Sequence, residues 1–317
     1  MTDTQIYSFD PAEIDCCGEW LLYPSLLDDE FISSIKTVGQ LVPVLLAKNG
    51  NKVVLLAGRS RVLAAEKLGL NVSGIFVDAR EDISRALVHM EENRRRVIDD
   101  ALKLTVFRFF HNRVSEEELS KRVASLLGIK YKDRELKLWF EWLRLPLEFD
   151  DILKSGKFPL AAVSILSKFS DDDKKAVLPY FEKLGWSRSN AVNFLTWLYE
   201  TSRRDKKSVA TLISEYDLSP VKENESPKDG VARLCKAAKQ LRSPEYSKLL
   251  KTHETIVAEI CTGTKWRVES AGNFETGEVL LQTRFKSREV LQKAVEDLNS
   301  IQKSGDWDKL FEIGRDK

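Results

Sequence analysis

The fold is decided by Lys52-Val53-Val54-Leu55-Leu56-Ala57-Gly58-Arg59-Ser60-Arg61-Val62-Leu63-Ala64-Ala65-Glu66-Lys67-Leu68-Gly69. Its first six residues are an apolar run of strand length. Residues 62–68 have helical composition, with Gly69 where a helix C-cap belongs. Between the two stand Gly58 and the basic residues Arg59 and Arg61. A glycine there lets the backbone approach a ligand closely. The start of the following helix offers unpaired N–H groups and a partial positive charge. Arginine adds forked donors that suit phosphate oxygens. Strand, glycine, arginine, helix therefore reads as an anion site, against the plainer reading of a solvated turn.

Outward from this stretch, Asn49-Gly50 signals a hairpin turn that joins 43–46 to 52–57. Residues 19–23, 42–47 and 72–77 are expected strands, and 28–38 and 82–93 expected helices. Residues 1–98 thus predict a small α/β domain. From 99 to 213 the apolar spacing is helical throughout, which predicts an all-helical middle domain. Residues 214–230 contain Pro220, Pro227, the polar run Glu223-Asn224-Glu225-Ser226 and Asp229-Gly230, and read as a linker. The segment 231–317 predicts helix to 260, then strands at 264–269 and 278–285 around a loop holding Gly272, Asn273 and Gly277. A last helix starts after Ser287. So small a ββα unit is unstable alone, which predicts burial against a second copy of itself. The class expected is multi-domain α+β.

Composition narrows the function. Hydrophobic residues make up 43% and charged residues 31%, as in folded globular domains. No apolar run is long enough to span a bilayer, and the first residues lack a secretory pattern. The four cysteines (Cys16, Cys17, Cys235, Cys261) and three histidines (His89, His111, His253) show no metal-ligand spacing. The expectation is a reduced, cytoplasmic protein associated with nucleoid or plasmid. The net charge of +1 hides patterning: residues 1–35 carry eight acids and no Lys or Arg, whereas 94–144 carry thirteen Lys or Arg against eight acids. A basic middle suits a polyanion, or simply a solvated helix face.

A second cluster, Glu92-Asn93-Arg94-Arg95-Arg96, ends the helix expected over 82–93. Carboxylate and amide oxygens suit magnesium, and arginine suits phosphate, so the cluster fits a metal–triphosphate group. A charged helix end is the plainer alternative. Further on, Ser115-Glu116-Glu117-Glu118 forms a capping box. Gly128-Ile129 makes a turn, and the next helix carries Lys130, Lys132, Arg134 and Lys137 ahead of Trp139 and Trp142. Helix, turn, basic helix is helix-turn-helix logic, with the basic residues toward DNA and the aromatics inward. Gly185-Trp186-Ser187-Arg188-Ser189-Asn190 is a rival placement of that turn.

These segments resemble the ParB family. Ser34–Val44, with Gly39-Gln40 and Pro43, is similar to its "sI…GQ…PI" start. Residues 56–69 are similar to its "aGERRxxAaxxLG" box, and Glu92-Asn93-Arg94-Arg95-Arg96 to its "ENxxR" box. The resemblance implies CTP with magnesium in the pocket, and a dimer clamped on DNA that slow hydrolysis reopens. It implies that Gly58, Arg59, Ser60, Arg61 and Arg96 hold phosphate, that Glu92 and Asn93 lie at the metal, and that Gly39, Gln40 and Pro43 lie beside the base. Leu143-Arg144-Leu145-Pro146 resembles the end of the family's DNA-binding helices, and the ββα tail its dimerisation unit.

The sequence departs from the pattern at Gly58-Arg59-Ser60-Arg61, where the family has Gly-Glu-Arg-Arg. Phosphate binding follows more readily from it than hydrolysis; any enzymatic activity is at most that of a slow CTPase. The family also implies a ParA-type ATPase partner engaged through a basic N-terminal peptide, which residues 1–35 do not supply. A DNA-binding regulator of the same fold without nucleotide turnover is the alternative. A kinase or nuclease on this fold lacks a positioned base or nucleophile.

Overall fold

In the computed structural model, which describes residues 5–270 and 278–313, the N-terminal segment forms one five-stranded sheet. Its strands are β1 (Tyr7–Phe9), β2 (Ile14–Asp15), β3 (Val44–Asn49), β4 (Lys52–Ala57) and β5 (Val72–Phe76), in the order β1-β5-β3-β4-β2. β3 and β4 are the expected hairpin, paired antiparallel from Asn49 opposite Lys52. Gly50, at φ +61°, takes the first turn position. Three helices flank the sheet: α1 (Asp29–Val38), capped by the Asp28 side chain, α2 (Arg59–Leu68) and α3 (Asp82–Glu92). Gly69 closes α2 in the left-handed conformation, as expected.

β4 shows how the two faces are filled. Val54 and Leu56 point into one core, and Leu55 between them points into the other. The smaller core, with Ile14, Val44, Leu46, Val62 and Val72, lies under α2. The larger runs on from α3 through Phe107 and Phe110 into the helical region, as far as Ala238. The strand expected at 19–23 does not form. The flank of β4 is taken by β2, and Trp20, Leu22 and Tyr23 are buried as anchors of the larger core. The Trp20 indole donates to the Leu55 carbonyl at 2.7 Å.

The helical region holds α4 (Asp100–Phe110), α5 (Glu116–Glu118), a π-helical turn at Leu119–Val123, α6 (Ala124–Leu126), α7 (Arg134–Leu143), α8 (Asp150–Lys154), α9 (Val163–Leu166), α10 (Asp171–Lys183), α11 (Arg188–Asp205) and α12 (Val209–Glu215). Asp99, Ser115, Asp133, Ser170, Ser187 and Ser208 each cap the helix that follows with a side-chain oxygen. Arg108 fastens three of these elements. It donates to both oxygens of Asp150 at 2.7 and 2.9 Å, and to the carbonyls of Leu143 and Leu145 at 2.9 and 3.1 Å. The Trp142 indole adds a bond to the same carboxylate.

Residues 214–230 are packed rather than loose. Leu218 is buried and its carbonyl accepts from the Tyr180 hydroxyl, while Glu225 pairs with Arg233 at 2.8 Å. The next helix, α13 (Pro227–Arg242), starts within the expected linker and places Val231, Leu234 and Ala238 in the larger core. Only Ser243 separates it from α14 (Pro244–Ile260), because Pro244 cannot continue the helix before it.

After α14 come β6 (Arg267–Ser270) and β7 (Val279–Gln282), paired antiparallel, then α15 (Arg288–Ile301) and α16 (Asp306–Glu312). Ser287 caps α15 as expected. The loop with Gly272, Asn273 and Gly277 lies outside the described residues. Ile256, Ile260, Val268, Ile301 and Leu310 form a cluster of their own. Leu280, Phe285, Leu291 and Val295 remain exposed. No helix among the described residues is long and apolar enough to cross a membrane.

Candidate functional site

β4 ends at Ala57, and Gly58 turns the chain into α2 at φ +101°. A side chain there would be strained, and a Cβ would stand 2.7 Å from Val44 Cγ1 and 3.2 Å from the Arg61 guanidinium. No side chain caps the first turn of α2. Its N-terminus therefore faces a pocket of about 300 Å³ lined by Gly58, Arg59, Ser60, Arg61, His89, Glu92, Asn93 and Arg96. The two clusters separated by about thirty residues in sequence meet here.

Most of the pocket's charged and amide groups are engaged. Arg61 Nη1 donates to the carbonyls of Val42 at 2.9 Å and Pro43 at 2.7 Å, and Nη2 faces the Glu92 carboxylate at 3.5 Å. Asn93 caps α3 by donating Nδ2 to the His89 carbonyl at 2.8 Å, which leaves its amide oxygen. Arg96 donates to the Pro24 carbonyl at 2.6 Å. Arg59 is half-buried, and its Nε has no hydrogen-bond partner among the described residues.

His89 is the floor. Its Nδ1–H reaches the Leu56 carbonyl at 2.7 Å, and Nε2 accepts the Tyr23 N–H at 3.2 Å, which fixes the neutral tautomer. Burial, with Arg96 and Arg59 nearby, lowers its pKa to about 4. The sequence marked His89 as an ordinary residue, and it missed the opposite wall, Tyr23, Pro24, Ser25, Leu26 and Phe31. That wall carries no motif.

Glu92 and Asn93, the expected metal ligands, sit side by side at the end of α3. No group of three or more His, Cys, Asp or Glu suited to a metal occurs among the described residues. One carboxylate and one amide oxygen fit magnesium as partial ligands beside phosphate oxygens. Gly39, Gln40 and Pro43 do not line the pocket. The Gln40 amide binds β5 instead, donating to the Ser73 carbonyl at 2.7 Å and accepting its N–H at 2.8 Å. Pro43 touches the site only through its carbonyl bond from Arg61.

The basic residues of the helical region lie together. Lys130, Lys132, Arg134 and Lys137 are all exposed across the turn 127–133 and the start of α7. Trp139 and Trp142 are fully buried on its other side, as expected.

No protein-family model matches the chain. Among curated proteins it is similar to a probable chromosome-partitioning protein ParB of Campylobacter jejuni, 23% identical over 154 residues, 47% of this chain and 53% of the relative. The chain thus spans about half the length of the curated relative it matches. Among solved structures it is similar to C-terminally truncated ParB of Caulobacter crescentus complexed to the centromeric parS site. That match has a TM-score of 0.38 and 15% identity, covering 60% of this chain and 98% of that one. The same truncated protein complexed with CTP-γ-S gives 0.26 and 18%, over 56% and 99%. A Pnob8-like ParB-N domain gives 0.35 and 17%, over 79% and 98%.

Proposed function

We propose that this chain of the ParB family is a DNA-partition protein, a dimeric CTP-gated clamp on a centromere-like DNA site that serves plasmid or chromosome segregation. The observation that carries the reading is the meeting of Gly58-Arg59-Ser60-Arg61 with Glu92, Asn93 and Arg96 around the uncapped start of α2. A glycine turn, a helix N-terminus and three guanidinium groups suit a chain of phosphates. Magnesium would sit between those phosphates and the oxygens of Glu92 and Asn93.

The division of labour follows the sequence. Residues 1–98 take the nucleotide, with the Pro43 carbonyl seating Arg61 and the Gln40 amide holding β5. Residues 99–213 meet DNA through Lys130, Lys132, Arg134 and Lys137 in a helix-turn-helix. Of residues 231–317, the expected dimerisation segment, the part after α13 pairs with a second copy, since α13 itself packs into the larger core. The exposed apolar side chains of β7 and α15 supply the surface for that pairing. A ParA-type ATPase would need a surface other than residues 1–35, which hold no Lys or Arg.

A second reading, a DNA-binding regulator of this fold without turnover, is favoured by one observation. The phosphate turn has no carboxylate, and Glu92 faces Arg61. Titration with CTP, ATP and GTP, with and without target DNA, separates the two. The clamp reading expects CTP to bind best, Asn93→Ala to weaken it, and nucleotide to change DNA retention. Equal, weak binding of all three nucleotides overturns it.

A further inference from the structure

The pocket's donors divide into those already engaged and those that are not. Arg61 is committed to two carbonyls and to Glu92, and Arg96 to the Pro24 carbonyl. His89 has no donor to spare, since its single N–H is held by Leu56. Two buried atoms of the pocket's lining residues have no hydrogen-bond partner among the described residues: Arg59 Nε and the Tyr23 hydroxyl. Tyr23 is 2% exposed, and both residues line the pocket. They border the same imidazole. The Tyr23 ring lies 5.3 Å from it, and the Arg59 charge bears on it. Buried donors are rarely left unmet in folded proteins, and each one that is asks for a missing partner. Here both belong to residues that line a cavity at a helix N-terminus, where an anion is favoured.

We propose that Arg59 and Tyr23 are the residues that hold the ligand's phosphoryl oxygens in this pocket, and that Arg61 is a positioning residue that shapes it. This rests on the nucleotide reading above and divides its arginines into two roles. Arg59 stands where the family's pattern has an acid, so the contact belongs to this chain. The Tyr23 phenol stays protonated, because burial raises its pKa, and so it donates. Arg61 binds carbonyls on the approach to β3, packs against bare Gly58 and faces Glu92; its loss loosens the turn itself.

The test is calorimetric titration of full-length wild type, Arg59→Ala, Arg59→Lys, Tyr23→Phe and Arg61→Ala with CTP, alongside thermal melts. Arg59→Ala is expected to weaken CTP about tenfold or more, as the loss of a charge-assisted bond does, with its melting temperature unchanged. Arg59→Lys recovers only part, since lysine lacks the buried Nε–H. Tyr23→Phe weakens binding roughly threefold, the size of a neutral hydrogen bond. Arg61→Ala lowers melting temperature and binding together. CTP binding at wild-type strength by Arg59→Ala and Tyr23→Phe overturns this inference and leaves the nucleotide reading standing. A wild-type protein that binds no nucleotide overturns that reading, and this inference with it. Should Arg59→Ala fail to fold, Arg59→Lys and Tyr23→Phe decide by the same criteria.

Discussion

Arg108 in the helical region and Arg59 in the pocket are both partly buried arginines, yet they are opposites. Arg108 spends its guanidinium on two carboxylate oxygens and two carbonyls, and Asp150 is itself 5% exposed. Arg59 keeps a buried Nε without a partner. The first is closed on itself and holds α4, α7 and α8 together. The second lines a cavity and joins no other element by a hydrogen bond of its Nε. Arginine content says nothing about which is which; the count of satisfied donors does.

Removing Asp150 is the largest test of that contrast. Asp150→Ala strands a buried cation and the Trp142 indole, and is expected to cost about 3–5 kcal/mol in urea unfolding. An equal loss from Arg59→Ala would break the contrast. The pocket floor gives the next effect. His89 has an ordinary pKa of 6.5 and a folded value of about 4. Below pH 6.5 the unfolded chain takes a proton that the folded chain refuses. Its contribution is therefore complete above pH 6.5 and lost progressively toward pH 4, in all by roughly 3 kcal/mol. Unfolding measured across that window in wild type and His89→Gln checks this: the variant should lose that part of the slope. The smallest effect is at the turn. Gly58→Ala imposes a left-handed backbone on alanine and a contact with Val44. It is expected to cost about 1–2 kcal/mol and to weaken nucleotide by displacing Arg61. Unchanged stability would mean that the turn relaxes freely.

The sequence disclosed what local rules write. Strand β4, the Gly58 turn, α2 and its Gly69 cap were all legible, as were the Ser115 and Ser287 caps and the helical run after Asp99. That the two arginine clusters share a pocket was implied only by the family resemblance, not by any local rule. What escaped depended on distant partners. β1 and β2 are three and two residues long, too short to show a period. Residues 19–23 look like a strand because they are apolar, but an edge already filled by β2 left them to the core. Residues 214–230 look loose because they hold proline and charge. Their order comes from Tyr180 and Arg233, which no local pattern links to them. The split between Arg59 and Arg61 was hidden for the same reason: it turns on which guanidinium meets the Val42 and Pro43 carbonyls.

The Gln40 side chain carries one more consequence. Val44 faces Gly74 in the β3–β5 register, so Pro43 falls opposite Ser73, whose two backbone groups are met by the Gln40 amide. A side chain here works as a spare peptide group. Ser73 thereby draws its partners on this side from the exit of α1 rather than from a strand, and losing the amide at position 40 leaves both of those backbone groups unmet where β3 begins.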